Sequence, residues 1–302
     1  MKVALIIVTL NRKQLLHRLL SAVENQTVRP HTIVIVDNGS IDSTLEFLYS
    51  YRRNCEKFPI IILEQTNVGC SGGFYKGISE ILDKDFEYVW LMDDDGFPHE
   101  NSLNTLLSEA YCNKNRIYAS VCVSDVDLDT LSFPYNDSKH IFKNYTSLKE
   151  SYPLQIERWA SFYNSVLIPL DSIKKLGLPK KEMFMWGDEV EYYFRFLRND
   201  VDVLTITNSI QYHPLNRQTF LMKGNNRLLD APIGWKFFCY YRNSYYLNRI
   251  AGARLFGISA LALDIKSAFC IKSLTESLLI SIYLIQAFID GALDRYKKRV
   301  PF

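Results

Sequence analysis

Short apolar runs rich in β-branched residues recur through the first 125 residues, separated by stretches with helical spacing. This alternation restricts the fold more than any other feature of the chain. "VALIIV" (Val3 to Val8) has no polar position, the pattern of a strand covered on both faces in a parallel sheet. Leu15, Leu16, Leu19, Leu20 and Val23 then share one helical face. "TIVIVD" (Thr32 to Asp37) predicts a second strand, closed by "DNGS" as turn and helix cap before "STLEFLYSY". "PIIIL" (Pro59 to Leu63) predicts a third strand, "NVGCSGGFYKGISEIL" a helix, and "YVWLM" (Tyr88 to Met92) a fourth strand. A helix over Glu100 to Ala110 leads to "YASVCVS". The expected class is α/β: an open, mostly parallel sheet with helices on both faces and right-handed crossovers.

In such sheets ligands bind outside the carboxyl ends of the strands. The residues there are Thr9, Asn11 and Arg12; Asp37 and Asn38; Asn67; and Asp93, Asp94 and Asp95. Each alone fits a cap or a turn, but polar and small residues from four strand ends converge on one edge. "LMDDDGFP" is the most demanding of them. Three adjacent carboxylates repel one another where a turn needs one, and nothing nearby in sequence offsets them. Such a cluster suits a hard divalent cation, Mg²⁺ or Mn²⁺, which takes one or two carboxylates with substrate phosphates and water. The plainer reading is an acidic surface turn. "NVGCSGGFYKG" is not in GxGxxG register, follows the third strand and lacks the ending of a P-loop. It is expected to be a tight loop in which Gly72 and Gly73 let backbone approach a phosphate or base. The alternative is a plain loop before a glycine-started helix.

Composition removes several other classes. At 302 residues the chain can hold one large or two small domains, and a net charge of +2 without a dense basic stripe before residue 290 gives no ground for a nucleic-acid partner. The six cysteines form no CxxC pair and are expected as reduced thiols of a cytoplasmic protein. The N-terminal apolar run is too short for a signal peptide, and no stretch offers about 18 uninterrupted apolar residues for a spanning helix.

Taken in order, these motifs resemble inverting family 2 glycosyltransferases of the GT-A fold. "VTLNRKQLLHRLLSAVENQT…PHTIVIVDNGSIDST" resembles the opening of such enzymes, "NVGCSGGFYKG" their N-x-G-x-x-G-G segment, and "LMDDDGFP" their DxD motif. The triple-Asp form is similar to that of galactofuranosyl- and rhamnosyltransferase-like members. "MFMWGDEVEYYFR" (Met183 to Arg195) looks like the acidic motif that carries the base, and "YYRNSYYL" (Tyr240 to Leu247) like a tyrosine-rich Arg-Asn segment of such members. The resemblance spans about residues 1–250.

It implies a nucleotide-sugar donor, with UDP-galactofuranose first and dTDP-rhamnose or a UDP-hexose behind it. The acceptor would be a hydroxyl of a surface polysaccharide or lipid-linked glycan. A cation held by Asp93 and Asp95 would offset the charge of the leaving diphosphate, and His213, after a strand-like segment, would complete its ligands. Asp94 would lie with the donor, Asp37 would accept from the base, Thr9, Asn11 and Arg12 would lie near the nucleotide, and Asn67 further round the pocket. The base is Asp188 or Glu189, both at the start of an expected helix. The galactofuranosyl-like pattern selects Glu189; the rhamnosyl-like pattern selects Asp188, which directly follows the strand-like run and a glycine. Trp186 and Glu191 are acceptor-side candidates.

Residues 1–230 are expected as the catalytic domain, 1–125 binding the nucleotide sugar and 126–230 carrying the base, with a helical region over 231–302. That region ends in Arg295, Lys297, Lys298 and Arg299. It is read either as a peripheral contact with the inner face of the cell membrane or as a packed bundle or homo-oligomer interface. Two other classes share parts of the pattern. A nucleotidyltransferase normally has a basic Gly-rich loop where this chain reads "TLNRKQ", and an inactive nucleotide- or sugar-binding module would lack the base motif or His213.

Overall fold

The computed structural model describes residues 1–215, 219–251 and 254–296. They form two compact units: Met1–Lys181 with Tyr192–Asn216, and Glu182–Glu191 with Arg217–Phe302.

The first unit opens with the alternation expected: β1 (Val3–Thr9), α1 (Lys13–Glu24), β2 (Thr32–Asp37), α2 (Thr44–Asn54), β3 (Ile60–Glu64), α3 (Gly69–Ile81) and β4 (Tyr88–Asp93). Then come β5 (Phe97–Pro98), α4 (Ser102–Cys112), β6 (Ile117–Ser124), β7 (Thr130–Asn136), β8 (Ile141–Asn144), α5 (Tyr145–Ser151) and β9 (Gln155–Glu157). β10 (Asn164–Pro169), α6 (Leu170–Leu176), α7 (Asp188–Arg198), whose residues up to Glu191 belong to the second unit, and β11 (Val203–His213) follow. The main order across the sheet is β3-β2-β1-β4-β10-β6-β11-β5. The four strands β3, β2, β1 and β4 run parallel, β10 is antiparallel to both its neighbours, and β11 is again parallel to β6. The carboxyl ends of β1, β2, β4, β6 and β11 therefore share a direction.

β1 explains why its run has no polar position. Val3, Leu5 and Ile7 face a core with Leu16, Leu19, Leu20 and Val23 of α1, while Ala4, Ile6 and Val8 face another with Phe74, Ile78 and Ile81 of α3. Both faces of the strand are dry, and each of its Val, Leu and Ile side chains contributes about 1.5–3 kcal/mol by leaving water. α3 lies close on β1 at Gly73, where an added Cβ would sit 2.4 Å from Val8 Cγ1.

In the second unit β12 (Phe220–Lys223) and β13 (Asn226–Leu229) form a hairpin, followed by α8 (Trp235–Ile250), α9 (Arg254–Ile271) and α10 (Leu274–Ala292). Its core joins Phe237, Tyr241 and Tyr245 to Ala268, Ile280, Leu284 and Ala287. α10 begins with a reciprocal Ser273–Glu276 capping box. It stops at Ala292, before the basic residues expected at the end of the region, because Asp294 at φ 54° turns the chain out and Arg295 N–H closes on Asp290 O at 2.8 Å. By length and composition α10 could cross a membrane, and Leu274, Leu278, Ile282, Ile285 and Ile289 are exposed along it. Lys297, Lys298 and Arg299 lie outside the described residues.

Candidate functional site

The triple-Asp segment meets a positive charge of its own chain. Arg12, in the turn after β1, places Nη1 2.7 Å from Asp94 Oδ1 and 3.0 Å from Asp95 Oδ2. Thr9 Oγ1, at the end of β1, donates to Asp94 Oδ2 at 2.7 Å. β1 and β4 are paired neighbours, with Val8 opposite Asp93, so the register delivers these contacts. Asp93 belongs to β4 rather than to the turn after it. Its N–H donates to Tyr163 O at 2.7 Å, and Cys70 Sγ donates to its Oδ1 at 3.5 Å. Burial pushes the Asp94 carboxyl up, against the pull of Arg12 and Thr9. Burial also works against Asp95, but His213 and then Arg12 outweigh it and hold that carboxyl at about 2. The Arg12 guanidinium loses solvation, yet Asp94, Asp95 and Asp93 raise its pKa above the ordinary value.

His213 ends β11 and comes to the same segment through a short ladder. β5 pairs antiparallel with β11, Phe97 opposite Tyr212 and Pro98 opposite Gln211. Gly96 makes room for this, since a Cβ there would lie 2.6 Å from Gln211 Nε2 and 3.0 Å from Tyr212 O. His213 Nε2 then stands 3.2 Å from Asp95 Oδ1, and Nδ1 stands 2.6 Å from Pro214 O. A carbonyl oxygen only accepts, so Nδ1 carries the hydrogen. That leaves the Nε2 lone pair aimed at a carboxylate oxygen unless a proton or another cation lies between them. Imidazole and carboxylate are fitting donors for a divalent ion, and an Nδ1–H held by a carbonyl is the usual orienting contact of a ligating histidine. Among the described residues no group of three or more His, Cys, Asp or Glu is gathered to hold an ion unaided. Substrate oxygens and water would have to supply the remaining ligands, as is ordinary for Mg²⁺.

The other donor-side candidates sit at the same sheet edge and shape it. Asp37 is buried at the end of β2, accepting from Ser40 N at 3.0 Å and from Ser40 Oγ. Asn11, at φ 53°, accepts from Ile41 N at 2.8 Å. Asn67 accepts from Gly69 N at 3.0 Å, starting α3. Gly72 and Gly73 are buried within α3 rather than in a loop, and the close approach they permit is to Val68 and Val8. The helix begins at Gly69, after the N-cap Val68, so the glycine pair lies within its first turns. Asn38, expected at this edge, has partners that the sequence does not show, and Gln211 escaped the sequence reading. Asn38 binds Gly69 O at 3.0 Å and Gln65 Nε2 at 2.6 Å, tying β2 to α3. Gln211, fully buried behind Gly96, has neither amide atom hydrogen-bonded. Its polar type within an apolar strand was the available signal.

The acidic motif lies at the start of α7. Asp188, Glu189 and Glu191 occupy the first turn, where carboxylates oppose the helix dipole. Asp188 is 1% exposed and Glu191 7%, whereas Glu189 is half-buried. Glu189 Oε2 accepts the Gly187 N–H at 2.9 Å, which leaves Oε1. The indole of Trp186 lies edge-on to Tyr240, with centroids 6.3 Å apart.

A family model described as glycosyl transferase family 2 matches residues 4–167. Galactofuranosyltransferase GlfT1 of Mycolicibacterium smegmatis is 29% identical over 262 residues, covering 83% of this chain and 84% of that protein. The GlfT1 of Mycobacterium tuberculosis is 27% identical over 253 residues, covering 81% of each. Among solved structures, residues 1–349 of S. aureus TarS in complex with UDP align with TM-score 0.54 at 12% identity, covering 99% of this chain and 74% of that one. GalNAc-T7 with UDP, GalNAc and Mn²⁺ aligns with TM-score 0.59 at 15% identity, covering 97% and 58%. Both structural likenesses are of fold.

Proposed function

This chain belongs to glycosyl transferase family 2 and is a glycosyltransferase; on that premise we propose a metal-dependent, inverting transfer from a UDP-linked sugar, galactofuranose first, to a hydroxyl of a surface glycan or its lipid-linked precursor. The observation that carries the metal reading is the Asp95–His213 pair, in which Nε2 lies 3.2 Å from a carboxylate oxygen while Nδ1 is committed to Pro214 O, so that a proton or another cation has to lie between them. Asp95 and His213 would hold Mn²⁺ or Mg²⁺, with Asp93 at the adjoining strand end. When bound, such an ion supplies positive charge for the leaving diphosphate. Arg12 holds Asp94 and Asp95 in place from the β1 side, and Thr9 fixes the second oxygen of Asp94. The names of the GlfT1 relatives support galactofuranose as the sugar.

Inversion requires a proton acceptor for the attacking hydroxyl, within hydrogen-bond reach of it. Glu189 suits that role better than Asp188, because its carboxylate is partly open and keeps Oε1 available. Asp188, at 1% exposure, is read as a buried group of the helix start.

Titration calorimetry of UDP and dTDP, each with and without Mn²⁺, tests the donor side. UDP is expected to bind tightly only with Mn²⁺, and Asp95→Ala and His213→Ala are expected to erase that increment. UDP affinity indifferent to chelation would overturn the metal reading, and preference for dTDP would overturn the donor. Transfer from UDP-galactofuranose with the product anomer read by NMR tests inversion; a product of unchanged configuration would overturn it.

A further inference from the structure

We propose that Asn243 of α8 is a positioning residue for the transfer: its buried amide fixes the backbone of residues 183–187 and thereby the carboxylate of Glu189. This rests on the reading of Glu189 as proton acceptor.

Asn243 has no exposed surface, and an amide is costly to bury unless its hydrogen bonds are made. They are. Nδ2, with two hydrogens to give, lies within hydrogen-bond distance of three carbonyls of one loop, Met183 O at 3.0 Å, Met185 O at 2.9 Å and Trp186 O at 2.8 Å, so that one hydrogen is shared. The orientation of the amide is determined by its neighbour. Arg242 Nε, which can only donate, lies 3.0 Å from the atom on the other side, so that atom is the oxygen Oδ1. Arg242 Nη2 reinforces the contact, donating to Met183 O at 2.8 Å.

The loop so held does not have an easy backbone. Phe184 at φ 70° and Trp186 at φ 60° are bulky residues in the left-handed region, and Gly187 follows at φ 92°. Bulky side chains persist there only where the surroundings impose the conformation. The Gly187 N–H then donates to Glu189 Oε2, so a shift of the loop backbone moves the donor that orients this carboxylate. α8 lies directly behind: a Cβ on Gly187 would meet Leu247 Cδ1 at 3.1 Å and Asn243 Cβ at 3.4 Å. α10 backs α8 at the same turn, where a Cβ on Gly291 would lie 2.4 Å from Arg242 O. Asparagine is a poor helix former, and its presence in the interior of α8 is explained by the loop it holds. The C-terminal helices, outside residues 4–167 that match the family model, thus serve the chemistry through one amide.

The test compares the full chain with Asn243→Asp, which keeps the shape and replaces the donors by an oxygen facing three carbonyls, and with Asn243→Gln. Three readouts are needed: hydrogen–deuterium exchange over residues 183–191, Mn²⁺-dependent UDP affinity, and kcat and KM with UDP-galactofuranose. For Asn243→Asp, exchange over 183–191 is expected to rise at least about tenfold and kcat to fall about 10²-fold, as for misplaced reacting groups. UDP affinity and donor KM are expected to stay within about twofold, the mark of a group that acts on the chemical step. Asn243→Gln should fall between. Unchanged exchange, an unchanged kcat, or a kcat loss matched by lost UDP affinity overturns the proposal. If Asn243→Asp loses protection throughout β1 and β4, it has unfolded, and Asn243→Gln is judged by the same outcomes. A wild-type chain without turnover overturns the proposed function and the role of Glu189 together. A wild type that turns over beside an unperturbed Asn243→Asp overturns the positioning role alone.

Discussion

The triple-Asp edge and the 183–191 loop both present carboxylates, yet they are held in different ways. At the edge, Asp93 closes a regular strand, and Asp94 and Asp95 are held by side chains that carry or attract charge: Arg12, Thr9 and His213. In the loop, Glu189 is oriented by a backbone N–H, and the backbone itself is pinned from α8 chiefly by the neutral amide of Asn243, with Arg242 adding a bond to Met183 O. The first arrangement tolerates small backbone shifts because long charged side chains can follow them. The second cannot, since each acceptor of Asn243 is a main-chain atom with no side-chain freedom. Charge placement is therefore expected to govern donor binding, and backbone placement to govern the rate of transfer.

Asp95→Ala is the strongest way to break the comparison, because it removes a charge from one side only. It is expected to abolish Mn²⁺-dependent UDP binding in calorimetry and to lower turnover by about 10³-fold, the scale of losing a group aimed at developing charge. Retained metal dependence would move the donor site elsewhere. On the loop side, Glu189→Gln is expected to lower kcat by about 10²–10⁴-fold, as for a lost general base, with UDP affinity intact. Asp188→Asn should cost less, and full activity in both variants would remove the acidic motif from the chemistry. A subtler probe is Gly73→Ala, whose Cβ would lie 2.4 Å from Val8 Cγ1. Overpacking there is expected to cost about 1–3 kcal/mol, seen as a lowered Tm, without altering metal selectivity.

The last effect concerns pH. Burial raises Asp264 to about 6, against the hydrogen bond that Tyr245 Oη donates to it at 2.7 Å. A carboxyl raised on folding stabilises the protein fully below its unfolded value near 3.8. That contribution fades as pH rises through about 6. It amounts to at most about 3 kcal/mol, at 1.36 kcal/mol per unit. Asp264→Asn should flatten the Tm–pH curve between about 4 and 6; a curve of unchanged slope would show that Asp264 does not titrate there.

Much of the first unit could be read from the chain. β1, β2, β3 and β4 fall within a residue or so of the runs at Val3, Thr32, Pro59 and Tyr88, because strands covered on both faces have no polar positions to blur them. β5, β7, β8 and β9 were not legible: they are short or half-exposed, and they exist because β11 offers an edge to β5 and β9, β6 one to β7, and β7 in turn one to β8. Helix α4 runs over Ser102–Cys112 instead of Glu100–Ala110, since His99 and Ser102 are spent on contacts to β11.

The polar convergence at the strand ends was likewise visible, but not how each charge is answered. By itself the sequence determined the α/β class, the strand runs, and the residue types gathered at one sheet edge and in one acidic motif. These follow from periodicity and from the rule that polar groups end buried strands. Only the tertiary structure decided that Arg12 meets Asp94 and Asp95, that a two-residue ladder carries Asp95 to His213, and that Asn243 grips a loop some 57 to 60 residues earlier. Hydrogen bonds and ion pairs act over about 3 Å in space, and separation along the chain does not report that distance.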